Sequence, residues 1–187
     1  MSNPRIIAGS AKGMRLQVAP GDITRPITDR VKEALFNIIG ADINESFFLD
    51  MFGGSGSVGI EALSRGAEFT RFIDLNRTAI IAIRHNLEFT KLKGKADLVQ
   101  TDAIHYLSRS PDLKFDYIYV APPQYKAMWE KALSEIDQNL AWLNDEAWVI
   151  VQIDPIEYKN LDLENLKEFD TRRYGSTLLV FFGKFTK

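Results

Sequence analysis

"LDMFGGSGSVGIEALSRG", Leu49 to Gly66, is the stretch on which the fold turns. An apolar run, "SFFLDMF", reads as a strand and stops at a cluster of glycines. A helical pattern over Ser57 to Arg65 follows at once and ends at Gly66. Gly54, Gly56 and Gly59 fit G-x-G-x-x-G in the context that gives this motif meaning, after a strand and opening a helix. Glycines there allow a tight turn. They also let the free N–H groups of a helix start come close to the polar groups of a ligand. Without further support the motif describes an ordinary strand-to-helix turn.

Support comes from the segments on either side. Asp74 closes a second predicted strand, "FTRFIDL", twenty residues after Gly54, where an acid can accept hydrogen bonds from ribose hydroxyls. Asp102 ends a third, "ADLVQTD", and Asp50 stands just before the glycines. Three carboxylates at or near successive strand ends converge on the crevice at the carboxyl edge of a parallel sheet. That set suits a ligand with a ribose, an adenine amine and a cationic amino acid part, as in S-adenosylmethionine. NAD is the rival, since its fingerprint is nearly the same as far as Asp74.

Strand and helix keep alternating. Arg77 to Leu92 reads as a helix, His105 to Ser108 as a short turn or helix, "FDYIYVA" as a fourth strand and Trp129 to Leu140 as a helix. "EAWVIVQID" is a fifth strand, and "KEFDTRRYGSTLLVFFGKF" is two strands around Tyr174-Gly175. Nearly continuous apolar strands between helices predict an α/β fold whose parallel sheet is covered on both faces. The terminal pair, joined by a short turn, makes the sheet mixed. Upstream, "RIIAGSAKGMRLQVAPG" predicts a short hairpin around Gly9 to Gly13. "TRPITDRVKEALFNIIG" predicts a helix capped by Thr28 or Asp29, with Val31, Leu35, Ile38 and Ile39 as its stripe and Gly40 as its stop.

A chain of 187 residues with 45% apolar and 26% charged residues fits one globular domain. It divides into an amino-terminal extension over residues 1–40 and a cofactor-binding and catalytic core over 41–187. There is no cysteine, and the histidines are His85 and His105, which leaves no thiolate nucleophile, no disulfide and no donor set for a structural zinc; no metal is expected. Neither histidine falls in a catalytic pattern, and Trp129, Trp142 and Trp148 read as packing residues. Ser55 and Ser57 lack a His and Asp at triad-like spacing. With no apolar stretch near membrane-spanning length, a cytoplasmic protein with no membrane partner is expected.

The net charge of −2 conceals a division along the chain. Residues 1–33 carry Arg5, Lys12, Arg15, Arg25, Arg30 and Lys32 against three acids, whereas Glu130 to Asp170 carries eleven acids and three lysines. Such a division sets a basic face toward a polyanion and an acidic face away from it.

The fourth strand separates the two cofactor readings. It runs into "VAPPQY", and a dehydrogenase has no need of Pro-Pro at this point. Methyltransferases acting on exocyclic amines place [Asn/Asp]-Pro-Pro-[aromatic] at this strand end. Two prolines fix φ and remove two donors, so the loop is stiff and presents acceptors, and an aromatic beside them can stack on an extruded base.

With these segments read, the chain resembles the RsmD-type 16S rRNA guanine-N2 methyltransferases of bacteria. "RIIAGSAKGMRL" and "TRPITDRVKEALFNII" look like that family's amino-terminal signature, "LDMFGGSGSVGIEALSRGA" like its cofactor loop and "FDYIYVAPPQY" like its catalytic strand. The resemblance runs from about Arg5 to Trp129 and more loosely beyond. It implies a Rossmann-like seven-stranded mixed sheet with a small N-terminal β-hairpin and helix extension. It also implies S-adenosylmethionine as methyl donor and a guanine amine of 16S rRNA, in the small ribosomal subunit, as acceptor. Carried over by position, Asp50, Phe52, Gly53, Gly54, Ser55 and Gly56 would line the methionine part, Asp74 the ribose, and Asp102 with Ala103 the adenine. Pro122, Pro123, Gln124 and Tyr125 would form the catalytic loop. Arg5, Lys12, Arg15 and Arg25 would hold phosphates, with Arg30 and Lys32 near the pocket.

The chain departs from the family pattern where chemistry is expected. Ala121 stands in place of the acid of Asp-Pro-Pro-Tyr, and Gln124 in place of the Tyr, with Tyr125 one position later. Gln124 is a candidate to supply the missing acceptor, and Tyr125 to do the stacking. Two further readings stay open: an RNA-binding or ribosome-assembly factor that keeps the pocket without the chemistry, and a methyltransferase with another acceptor.

Overall fold

A computed structural model of the chain describes residues 3–19, 27–124 and 126–185. Its centre is one seven-stranded sheet in the order β3-β2-β1-β4-β5-β7-β6. The strands are β1 (Phe47–Met51), β2 (Phe69–Asp74), β3 (Ala96–Gln100), β4 (Phe115–Val120), β5 (Leu143–Ile153), β6 (Leu166–Tyr174) and β7 (Thr177–Lys184). The first five pair in parallel. β7 runs antiparallel to both β5 and β6. The order reverses at β1, the first strand, so the crevice beside it is where an open sheet of this kind takes its ligand.

Strands β1, β2 and β4 are almost wholly buried, because each face of the sheet meets helices. Leu49, Met51, Ile73, Ile118 and Val120 face α4 (Ala103–Leu107) and α5 (Met128–Gln138) through Leu107, Trp129, Leu133 and Ile136. Phe48, Phe72, Tyr117 and Tyr119 face the other layer, α1 (Asp29–Ile39), α2 (Ser57–Ser64) and α3 (Arg77–Phe89), through Leu35, Phe36, Ile60 and Ile83. This is why the strands read as unbroken apolar runs rather than alternating ones.

Local predictions shift by small amounts for identifiable reasons. Thr28, not Asp29, caps α1, its side chain accepting from the Val31 N–H. Phe36 joins the buried stripe of α1 where Ile38 was expected, and Ile38 stays half-buried. α5 begins at Met128, after Ala127 takes the left-handed conformation at φ 51°. It ends at Gln138, and Leu140–Trp142 forms a separate 3-10 turn. The expected hairpin near the amino terminus is present but short: Arg5 stands opposite Arg15, and Ile6 with Met14 and Leu16 with Pro4 bond across it at 2.9 and 2.8 Å.

That segment is held by α2 and α3 in addition to its own short ladder. Glu61, fully buried, accepts from the Ile7 and Ala8 N–H groups at 2.8 and 3.0 Å. Ser64 Oγ donates to the Ala8 carbonyl and accepts from the Ala11 N–H. Asn86 bonds both backbone groups of Gln17. Backbone groups of Ile7, Ala8, Ala11 and Gln17 are thus satisfied by side chains of α2 and α3, which packs the extension onto the core.

Candidate cofactor and catalytic site

The chain leaves β1 through Phe52, at φ 67°, and turns through Gly54 at 55° and Gly56 at 74°. All three lie in the left-handed region, where glycine carries no penalty. Gly53 donates to the Ile73 carbonyl at 2.9 Å, which stitches the loop to the end of β2. A Cβ on Gly53 would come within 2.9 Å of Ile83, and one on Gly59 within 2.3 Å of the Phe72 ring. The first and last positions of the turn are therefore glycine for packing, and the middle ones for conformation. No side chain caps α2, whose start follows Gly56 directly. Its first N–H groups form the donor end of a helix of eight residues.

Three carboxylates surround this loop in different ways. Asp74 Oδ2 accepts from the Gly54 N–H at 2.9 Å, and Oδ1 from the Asn76 N–H at 2.8 Å. An ionised carboxylate has about four acceptor positions, so Asp74 keeps capacity for two ribose hydroxyls while fixing the loop. Asp102 caps α4, its Oδ1 accepting from the His105 N–H at 2.9 Å. Ala103 is buried and turns its methyl into the core, so only its backbone can meet a base.

Asp50 differs from the expectation that it lines the pocket. It is 2% exposed and sits behind the loop, its Oδ2 accepting from the Gly59 N–H at 2.9 Å. Burial pushes its carboxyl up to about 8, against the lowering effect of the Gly59 bond, and the charge of Asp74 adds to the rise. Ser55 is also buried, and its carbonyl accepts from Asn86 Nδ2 at 2.9 Å. Both residues shape the pocket from behind rather than lining it.

Across the pocket, β4 delivers the Pro-Pro segment. Asp50 and Tyr119 are register partners on adjacent strands, so the end of β4 stands beside the glycine turn. Ala121, Pro122 and Pro123 are half-buried and Gln124 is exposed; Tyr125 lies outside the described residues. Two residues before Ala121 on the same face, the buried Tyr119 hydroxyl donates to Gln152 Oε1 at 2.5 Å. Burial raises the Tyr119 hydroxyl well above its ordinary value, and the neighbouring Asp50 adds to the rise.

The basic residues separate into two groups. Arg5, Lys12, Arg15 and Arg30 are exposed; Arg25 lies outside the described residues. The bridge sets Arg5 opposite Arg15, and Arg5 also pairs with Asp29 at 3.1 Å. Lys32 is a correction: it is 1% exposed, its Nζ donating to the Arg5 and Ser57 carbonyls and pairing with Glu61 at 3.4 Å. Burial lowers its pKa, against the pull of Glu61. An ammonium enclosed in this way holds the extension to α2 and does not reach a phosphate. Glu61 and Asn86 were not singled out as site residues. The signal for Glu61 was present, since it is the one charged residue of a wholly buried helix. Among the described residues, no group of three His, Cys, Asp or Glu could hold a metal, and no helix is long and apolar enough to cross a membrane.

The family model described as "Conserved hypothetical protein 95" matches residues 4–183. The chain belongs to this family. It is 36% identical over 150 residues to "Ribosomal RNA small subunit methyltransferase D" of Haemophilus influenzae, which covers 79% of the chain and 77% of that relative. The protein of the same name from Escherichia coli K12 is 35% identical over 148 residues, covering 79% and 73%. Among solved structures, "Putative methyltransferase yhhF from Escherichia coli" superposes with a TM-score of 0.86 at 29% identity, over 97% of both chains. The fold and the family resemblance read from the motifs therefore agree with both comparisons. In this chain Asp74 is bonded to the glycine turn through Gly54, and β4 lies next to β1, from which that turn departs.

Proposed function

We propose that the protein is an S-adenosylmethionine-dependent rRNA methyltransferase, acting on the N2 amine of a guanine in the 16S rRNA of the small ribosomal subunit, in the cytoplasm. The observation that carries this reading is the register of Asp50 with Tyr119, which sets the Pro-Pro loop beside the glycine turn. A cofactor site and an acceptor loop on adjacent strands suit direct transfer between two bound reactants, where positioning supplies much of the rate. The names of the relatives from Haemophilus influenzae and Escherichia coli agree with it.

When bound, S-adenosylmethionine supplies an electrophilic methyl group on a sulfonium. The chain's residues do the rest. Gly53 to Gly56 let the backbone approach the methionine part, Asp74 accepts from the ribose, and Asp102 with the Ala103 backbone meets the adenine. Pro122 and Pro123 hold the acceptor loop rigid, so that backbone carbonyls and Gln124 Oε1 accept hydrogen bonds from the guanine amine and localise its lone pair for attack, the amine's surplus proton then passing to solvent. Tyr125 stacks on the base. Arg5 and Arg15, side by side on the extension, hold phosphates together with Lys12; like charges set directly opposite are costly, and Asp29 at 3.1 Å from Arg5 offsets part of that cost.

Ala121 supports a second reading, a non-catalytic RNA-binding factor, because its side chain offers no acceptor at the position where the family has an acid. One experiment separates the two. Transfer of labelled methyl to unmodified small subunits and to naked 16S rRNA is measured beside Ala121→Asp, with mass spectrometry of the digested nucleosides. N2-methylguanosine from the native protein is the expected product. Product from Ala121→Asp alone would make the native protein a binder, and product from neither, with cofactor and RNA bound, would overturn the acceptor.

A further inference from the structure

A second cleft opens at the same edge of the sheet as the glycine turn. Ile153 on β5 pairs with Leu178 on β7, so the β6–β7 turn comes to the carboxyl end of β5. Between that turn and the residues that follow β5 lies a cavity of about 540 Å³, lined by Asp154, Pro155, Ile156, Arg173, Gly175 and Ser176. The volume falls within the roughly 300–1,000 Å³ typical of small-ligand sites. β5 is the direct neighbour of β4. At roughly 4.8 Å between strands, the cleft begins one to two strand spacings from the Pro-Pro loop.

Its lining has two chemical parts. Asp154 caps a 3-10 turn over Pro155–Glu157, its Oδ1 accepting from the Ile156 N–H at 3.0 Å. The turn fixes Pro155 and Ile156 as an apolar shelf, and Ile156 is 80% exposed, more than any other large apolar side chain among the described residues. Opposite it, Arg173 is exposed and its Nε donates to the Gly175 carbonyl at 3.2 Å, which holds the guanidinium at the hairpin tip. The stretch from Glu130 to Asp170, which includes the Asp154 to Ile156 wall, is strongly acidic, and Arg172 and Arg173 follow it after Thr171. Arg172 turns to Asp170 at 2.9 Å, which leaves Arg173 as the arginine that lines the cleft.

We propose that this cleft binds a nucleotide of the RNA strand next to the methylated guanine, its base or ribose on the Pro155–Ile156 shelf and its phosphate on Arg173. The inference rests on the methyltransferase reading for which base is its neighbour, and on the Arg173 guanidinium and the apolar shelf for the RNA itself; Asp154, the one acid of the lining, is engaged by the Ile156 N–H. Proteins hold single-stranded nucleic acid with cations along the backbone and flat, usually aromatic, surfaces under the bases; here Arg173 supplies the cation, and Pro155 with Ile156 an aliphatic surface for van der Waals contact.

The test uses the full chain, small subunits as substrate, and the variants Arg173→Ala, Arg173→Lys, Ile156→Ser and the double variant. Methyl transfer, equilibrium binding of labelled subunits and S-adenosylhomocysteine affinity are measured together. The expected result is a KM for subunits raised about fivefold to tenfold by Arg173→Ala or Ile156→Ser, with kcat and S-adenosylhomocysteine affinity within about twofold. Arg173→Ala should also flatten the salt dependence of binding by about one phosphate contact, and Arg173→Lys should restore most of the loss. Active variants with unchanged KM would overturn the proposal. If the native protein transfers no methyl to any RNA, yet the variants weaken subunit binding by the same factor, the cleft stands as an RNA site and the enzymatic reading falls. Absent binding, or binding indifferent to both residues, would remove both.

Discussion

The Asn86 side chain donates to the Ser55 carbonyl at 2.9 Å, and the same amide group bonds the N–H and the carbonyl of Gln17. One fully buried residue of α3 thus fastens the cofactor loop and the extension together. Asn86→Ala would leave the Ser55 carbonyl buried without this partner, at about 1–3 kcal/mol, and would release the exposed Gln17 to water. The expected outcome is lower stability in urea and S-adenosylhomocysteine binding weakened about tenfold. Unchanged affinity in a destabilised variant would show that Ser55 needs no such anchor.

Lys32 and Glu61 form the second tie, and they predict a contrast with the exposed bases. Lys32→Met should destabilise the protein by about 1–3 kcal/mol, because the Arg5 carbonyl loses its buried donor and Glu61 loses one of two cations, keeping Arg65 at 2.8 Å. Arg15→Ala and Lys12→Ala should leave stability within about 0.5 kcal/mol. RNA binding should show the opposite order, with a salt slope reduced by about 0.7–0.9 for each exposed base that contacts a phosphate. A slope that falls for Lys32→Met at full stability would restore Lys32 as a phosphate ligand.

Asp50, with its carboxyl pushed up to about 8 by burial, makes stability depend on pH in an unusual direction for an acid. The folded protein keeps a proton that the unfolded chain releases above about 4. Stability from this group is therefore full below about pH 4, declines as pH rises toward about 8 and levels above it, at no more than about 1.4 kcal/mol per pH unit. Asp50→Asn can still accept from the Gly59 N–H. Urea unfolding at pH 5 and pH 8 should show a smaller loss in the variant than in the native protein; equal losses would mean that Asp50 is ionised in the fold.

Gln124 and Ala121 carry the chemical prediction. Losing one preorganised hydrogen bond costs roughly 10²–10³ in rate in acyl transfer, and a somewhat smaller factor is expected for the exposed Gln124. Gln124→Ala should lower kcat for methyl transfer at least tenfold with S-adenosylhomocysteine affinity unchanged, and Ala121→Asp in that background should recover it. An unaltered kcat in Gln124→Ala would assign the acceptor role to backbone carbonyls alone.

The glycine turn, Asp74, Asp102 and the Pro-Pro loop were legible because each is tied to a strand end, and strand ends follow from apolar runs. The depth of a side chain behind a loop is not written in such local patterns. Asp50 looked like a pocket residue by position, yet the β1 pleat turns it toward the Gly59 N–H. Lys32 looked basic and accessible, but the face of α1 that carries it packs onto Glu61. The hairpin pattern over residues 6–17 was real as alternation. Its short ladder forms through Ile6, Met14, Leu16 and Pro4, and what the alternation did not reveal is that the remaining N–H groups of the same segment bond side chains of α2 and α3.

The position of β7 has a consequence for how the molecule is made. It is the last strand in chain order, yet it fills the gap between β5 and β6 instead of standing at the margin. Until residues 177–184 are available, β5 is an open margin with unpaired N–H and carbonyl groups, and β6 has no neighbour to hold it. The parallel half can assemble as the chain lengthens, but the sheet closes in a single late step. A chain cut short before Thr177 would lose an interior strand together with its β6 partner, and would present β5 to any other unpaired strand it met.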